Sequence, residues 1–365
     1  MDFKNGRKIG MYVLYGAITV FMLAFILSLG DVDEILSTVG SADYRYVLAA
    51  AAALIIYLAL YPISLCILTR ANGHKISHRK TYCIAMTEHF FNGITPFATG
   101  GQPFQAYAFK RAGISIAGST SLLLMNFFVF MLVTNGFAAC ALVYFKRFVS
   151  DGAMTAIAIV GFTMNFIVLA ITLGIATSKT ARSFFTWIID TLAKWRLTKR
   201  LVASKKENLN EYFANVQAAF RSLIKKKLAF LFALLSKIAS MCAYYATTFF
   251  ILRALEVNVP VNELFFIISG TSFAITMVVF LPTPGSSGGI EFAFKSVFAS
   301  IVTLYAPTLA IDTVATGGML MWRVLTYYLV MLISLAFYIG LEAAFQKQPE
   351  AKLQENSLKK ENENE

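Results

Sequence analysis

Five stretches of this chain carry no Asp, Glu, Lys or Arg at all: Ile9–Leu29, Tyr46–Thr69, Ala112–Phe145, Gly152–Ser178 and Leu264–Ile290. An apolar run longer than about 18 residues is long enough to cross the hydrocarbon core of a bilayer as a helix. One such run can be hidden in a large soluble domain, but five cannot. Of the 365 residues, 58% are hydrophobic and 14% charged, against about 25% charged in soluble domains. In hydrocarbon a spanning segment must satisfy its own backbone, which favours helices. The expected fold is therefore an all-α polytopic membrane protein, with residues 1–345 as its integral membrane domain. Residues 346–365, rich in Gln, Lys, Glu and Asn, are expected to form a disordered polar tail.

The connectors orient the helices. Lys4, Arg7 and Lys8 precede the first run, which exceeds the ~7–15 apolar residues of a signal peptide and reads as an uncleaved helix over 9–29. The connector after it is acidic, with Asp31, Asp33, Glu34 and Asp43, and the next is basic, with Arg70, Lys75, Arg79 and Lys80. Positive connectors stay in the cytoplasm, so both termini are expected there, in a multi-pass plasma-membrane protein. Residues 179–227 hold twelve Lys or Arg against three acids. In a membrane protein such a segment reads as cytoplasmic, interfacial helices against anionic lipid rather than as a nucleic-acid site.

The pattern is broken twice in the same way. TPFATGG (95–101) and TPGSSGG (283–289) both read T-P-x-x-x-G-G. Pro and Gly interrupt helical hydrogen bonding, and an interrupted backbone at membrane depth must be buried in protein or line a wet cavity. The segment before the first break, 81–94, spans only about 21 Å at 1.5 Å per residue, short of the ~30 Å core, and charge returns at Lys110 and Arg111. A short helix from Gln102 to Arg111 completes a re-entrant hairpin entering from the cytoplasm. The second break, approached through 263–281 from outside, gives an inverted partner, an arrangement of broken helices found in transporters. Two alternatives stand beside this: residues 263–281 crossing the membrane outright, and a pair of merely kinked helices packed on small residues.

Ionisable and polar residues gather around both breaks. Glu88 and His89 precede the first, with Asn92, Gln102 and Gln105 nearby. Glu291 and Lys295 follow the second at a spacing of four, which lets them pair. Lys237 and Arg323 interrupt apolar helices, and such intramembrane charges usually face a cavity or a partner. Tyr327 and Tyr328 follow Arg323 on the same wall or serve as interface anchors. The half-helices starting at Gln102 and Ile290 are expected to aim open amides at anionic groups. Other chemistries find little footing. There is no G-x-x-x-x-G-K-[ST] loop, His74 and His78 lack the acid of a zinc motif, and the four cysteines stand singly, without a CxxC. No cofactor or metal is expected.

The stretches FNGITPFATGGQPFQAYAFKRAGIS, LPTPGSSGGIEFAF and WRVLTYY resemble the transmembrane region of the lysylphosphatidylglycerol synthases, a flippase-like family, over about residues 8–343. The positions that match its motifs are Asn92, Pro96, Gly100, Gly101, Gln102, Pro284, Gly285, Gly288, Gly289, Glu291 and Arg323. The resemblance implies paired re-entrant helices around a lipid cavity, and a role in moving lysyl-phosphatidylglycerol or another polar-headed lipid, linked in the family to antimicrobial peptide resistance. Glu88, Gln105, Lys295 and Tyr327 join the matching positions as expected substrate contacts. The soluble synthase domain of full-length members has no counterpart after residue 345, so lysyl transfer is not expected of this chain alone. A membrane-embedded transferase, or a membrane partner of a separate synthase, is the competing reading, with self-association a further option.

Overall fold

The structure is a computed structural model and describes residues 32–149, 152–177 and 225–362, with a few single positions between 187 and 221. The expected first helix over 9–29 and most of the basic segment 179–227 lie outside the described residues. The described elements are helical throughout: α1 (Val32–Gly40), α2 (Tyr44–Leu60), α3 (Ile63–Ala71), α4 (His78–Ile94), α5 (Gly101–Arg111), α6 (Ile116–Val143), the single turn α7 (Phe145–Phe148), α8 (Gly152–Thr177), α9 (Lys227–Ala254), α10 (Leu264–Val278), α11 (Gly289–Tyr305), α12 (Ile311–Arg323) and α13 (Val330–Asn362). Six helical stretches among them are long and apolar enough to cross a membrane, including Val261–Val278. That segment leads into the second break, so it is long enough to reach the break by a full crossing.

Local chemistry fixes the ends. Asp43, Ser77 and Ser115 accept hydrogen bonds from the first-turn amides of α2, α4 and α6, the usual role of an N-cap side chain. Pro62 interrupts the uncharged run 46–69 and divides it into α2 and α3, because proline has no amide to continue the ladder. Between α12 and α13 the helix widens into a π-helical stretch, Val324–Leu329, a form often found at functional sites. Beyond 345, α13 continues to Asn362. Its Gln, Lys, Glu and Leu are good helix formers.

The core divides around the breaks. One buried cluster gathers Phe273, Phe294, Phe298 and Trp322 from α10, α11 and α12. A second gathers Leu65, Ile84, Phe109 and Leu122 from α3, α4, α5 and α6. Each break therefore rests on its own apolar body. Small residues set the closest crossings. At Gly161 of α8 a Cβ would meet the Met277 backbone carbonyl carbon of α10 at 2.6 Å, so only hydrogen fits between these helices.

Candidate functional site

The two T-P-x-x-x-G-G segments share one turn over their first five residues and part at the sixth, where Gly100 has φ of −77° and Gly288 of 89°. Phe97 and Gly285, the third residues, have φ of 56° and 58°; Ala98 and Ser286, the fourth, have 51° and 53°. The turn is closed by the same bonds in both. Ala98 and Ser286 donate to the Thr95 and Thr283 carbonyls at 3.2 and 3.0 Å, and Thr99 and Ser287 to the Pro96 and Pro284 carbonyls at 3.4 and 3.2 Å. The Thr99 and Ser287 hydroxyls donate to those proline carbonyls again, at 3.0 and 2.9 Å. Three of the four left-handed residues are not glycine, a conformation that costs such residues roughly 1–2 kcal/mol each. The two turns meet: Pro96 and Pro284 form an antiparallel bridge.

The glycine pair of the first break allows α5 to fold back along α4. A Cβ on Gly100 would lie 2.6 Å from Thr95 Cγ2 and 2.7 Å from the Phe91 carbonyl, and one on Gly101 would lie 2.6 Å from Asn92 Oδ1. The Gly100 amide donates to Thr95 Oγ1 and the Gly101 amide to Asn92 Oδ1, both at 2.8 Å. Further along, Gln105 Nε2 donates to Glu88 Oε2 at 3.2 Å, and Phe91 stacks on Phe104 with ring centroids 4.0 Å apart. These cross-links make an antiparallel helical hairpin. The Gly100 and Gly101 amides are thus taken by the side chains of Thr95 and Asn92.

The second break is held by an ion pair. Arg323 lies 2.6 Å from Glu291 Oε1, with side-chain exposures of 1% and 3%. Its Nη2 also donates to the Gly285 carbonyl at 3.2 Å and to Ser287 Oγ at 3.4 Å. The other Glu291 oxygen, Oε2, accepts from the Gly288 amide at 2.6 Å. A buried pair needs such added bonds to offset the cost of desolvation. The expected Glu291–Lys295 pair is thus replaced. Lys295 Nζ reaches Asp312 instead, at 2.8 Å, on the exposed side of α11, because residues four apart on a helix are neighbours only until a stronger partner arrives from another helix.

Tyr327 connects the two breaks. Its hydroxyl donates to the Gly93 carbonyl at 2.8 Å, its ring lies 4.6 Å from the Arg323 guanidinium carbon, and a Cβ on Gly285 would fall 2.6 Å from its Cζ. The π-helical stretch carries the ring into that position.

A cavity of about 320 Å³ lies beside the meeting point. Phe97 and Ala98 of the first turn line it, as do Val279 and Phe280 just before the second. Four expected residues line it: Glu88, Asn92, Gln102 and Gln105. Pro96, Gly100, Gly101, Pro284, Gly285, Gly288, Gly289, Glu291, Arg323 and Tyr327 build the two turns behind it, and Lys295 stands apart. His89, Asn126, Thr134, Asn165, Thr276 and the tyrosines Tyr57, Tyr61, Tyr244 and Tyr245 add to the wall, whose remainder is apolar, with Phe127, Phe130 and Met241 among others. Tyr61 Oη donates to Glu88 Oε2 at 2.8 Å. Behind Tyr61, Lys237 Nζ donates to its carbonyl at 3.3 Å and sits 3.8 Å from its ring centroid. Asn126 and Asn165 lie inside two of the uncharged runs, so a search for ionisable residues passes over them, although an amide in an apolar helix is a polar signal of its own. The tyrosines carry no such signal, being ordinary residues of apolar helices. Among the described residues no cluster of His, Cys, Asp or Glu could hold a metal ion.

The sequence profile of the family described as "Lysylphosphatidylglycerol synthase TM region" matches residues 12–334. An uncharacterized protein of Mycoplasma pneumoniae, the MG306 homolog, is 23% identical over 345 residues, 88% of this chain and 84% of its own length.

Proposed function

The chain belongs to the lysylphosphatidylglycerol synthase TM region family, and from that membership together with its cavity we propose that it is a lipid translocase. The head group of a phospholipid such as lysyl-phosphatidylglycerol crosses through the cavity beside the paired turns, and its acyl chains stay in the bilayer. One observation carries the reading: a cavity with Glu88, His89, Asn92, Gln102 and Gln105 in its wall lies against the first turn, at Phe97 and Ala98, and against Val279 and Phe280 just before the second. Broken helices meeting near mid-membrane are the usual setting of a transport site. Glu88, with Tyr61 and Gln105 as its present partners, exchanges them for an amino group on the head. The surrounding tyrosine rings suit a cationic head, which is drawn to aromatic faces. In this reading the first hairpin enters from the cytoplasm and the second from outside, the protein sits in the plasma membrane with both termini cytoplasmic, and segment 179–227 lies on the anionic inner surface.

Purified protein in liposomes carrying lysyl-phosphatidylglycerol in one leaflet tests this. An amine-reactive, impermeant reagent reports how fast the head groups appear outside. Acceleration over protein-free liposomes is expected. Equal rates, for this lipid and for phosphatidylglycerol and phosphatidylethanolamine in turn, would overturn the proposal. The competing reading, a membrane component of phosphatidylglycerol lysyltransfer, requires a new aminoacyl lipid to appear in cells expressing the chain, and loses it on Glu291→Gln.

A further inference from the structure

A second and larger concavity lies away from the central cavity, on the outer side of α3 and α4. It measures about 940 Å³ and is walled by Ile63, Ile67, Tyr82, Cys83 and Phe337, among others. Its lining also includes Arg70, in the last turn of α3, and Arg79, in the first turn of α4. Ile63 and Arg70 are seven residues apart on one helix, about 10 Å at 1.5 Å per residue. The groove therefore runs from a doubly cationic end, at the connector 72–77, along an apolar floor toward the middle of the bundle.

The two arginines differ from the four cations held in ion pairs elsewhere in the fold. Arg111, Arg147, Lys295 and Arg323 each hold a carboxylate, those of Glu342, Glu263, Asp312 and Glu291. Among the described residues no such bridge engages Arg70 or Arg79. The nearby α9 start adds a third cation, since Lys226 Nζ donates to the Ala71 carbonyl. Two uncommitted guanidiniums at the mouth of an apolar furrow match one ligand shape: an anionic head on long acyl chains. Arginine suits a phosphate because its planar fork offers paired donors.

We propose that this groove binds a glycerophospholipid of net negative charge, with its phosphate between Arg70 and Arg79 and an acyl chain along Ile67, Cys83 and Phe337. The site is separate from the central cavity, and the inference does not rest on transport. A zwitterionic lipid fills the same furrow less well, because its ammonium or choline group meets the same two arginines.

Native mass spectrometry of the full chain, released from micelles holding equal amounts of phosphatidylglycerol and phosphatidylcholine, tests it. A basic side chain near a membrane surface typically favours an anionic lipid about 5-fold, so two give about 30-fold. The unsubstituted protein is expected to retain phosphatidylglycerol in that range of preference. Arg70→Gln/Arg79→Gln, both exposed changes, should bring the two lipids to within about 2-fold of each other. Lys110→Gln/Lys146→Gln, which removes two exposed charges outside the groove, should leave the preference in place. Three results overturn the proposal: equal retention of both lipids by the unsubstituted protein, a preference that survives in the arginine variant, or an equal loss in the lysine control, which would mean diffuse attraction without a site.

Discussion

Replacing Glu291 with Gln tests how the second break is held. The carboxylate uses both oxygens: Oε1 accepts from Arg323 Nε at 2.7 Å and Oε2 from the Gly288 amide at 2.6 Å. A glutamine offers one acceptor, so whichever way its amide turns, one of these bonds is lost. Bonds to charged groups are worth about 1.5–3 kcal/mol each. The charge of Arg323 is then left without its counterion at 1% exposure. Breaking one side of a buried pair costs about 3–5 kcal/mol in total, a large share of the roughly 5–15 kcal/mol that holds a folded domain together. The double variant Glu291→Leu/Arg323→Met removes both charges and should recover at least about 2 kcal/mol of that loss, since apolar replacements of buried pairs are often neutral or stabilising. Denaturant titration in mild detergent, followed by far-UV circular dichroism, measures both. A cost below about 1 kcal/mol for the single change, the size of a surface pair, would refute the view that the pair is sealed from water. A double variant no better than the single would show that the Gly288 cap, not the charge, carries the cost.

Three further outcomes follow from the geometry. Gly285→Ala forces a Cβ into the Tyr327 ring at a φ of 58° and should destabilise by at least about 2 kcal/mol, read by thermal unfolding; Gly285→Ala/Tyr327→Ala should regain part of it. Glu88→Gln keeps an acceptor for Tyr61 and should leave the melting temperature nearly unchanged, while slowing transfer of lysyl-phosphatidylglycerol in the liposome assay about 10-fold; an unchanged rate would remove Glu88 from the path. Lys295→Gln breaks only the pair with Asp312, whose side chain is 82% exposed. It should change stability by less than about 1 kcal/mol and leave transfer rates as they were.

Much of this was readable in the chain. Uncharged runs mark the long helices because hydrocarbon excludes charge, and the repeated heptapeptide marks both breaks because few other segments tolerate Pro and paired Gly. What could not be read is what depends on distance in space rather than in sequence. Helical spacing offers Lys295 to Glu291, and nothing local announces Arg323, which comes from another helix. The left-handed turns at Phe97 and Ala98 are hidden for a different reason. Neither residue favours that conformation, which is imposed by the proline and threonine bonds around it. The tyrosine wall of the cavity is likewise assembled from α2, the α2–α3 junction and α9, and each tyrosine taken alone looks like any other residue of an apolar helix.

The contact between Pro96 and Pro284 joins the same position of two copies of one motif. Equivalent positions touch face to face only where a two-fold axis passes, as at the centre of a symmetric homodimer. The turns around the two prolines therefore face each other as like patches do across an isologous seam, and the likeness is local: the equivalent glycines, Gly100 at φ −77° and Gly288 at φ 89°, depart from it. A change at either proline meets its own counterpart across the bridge.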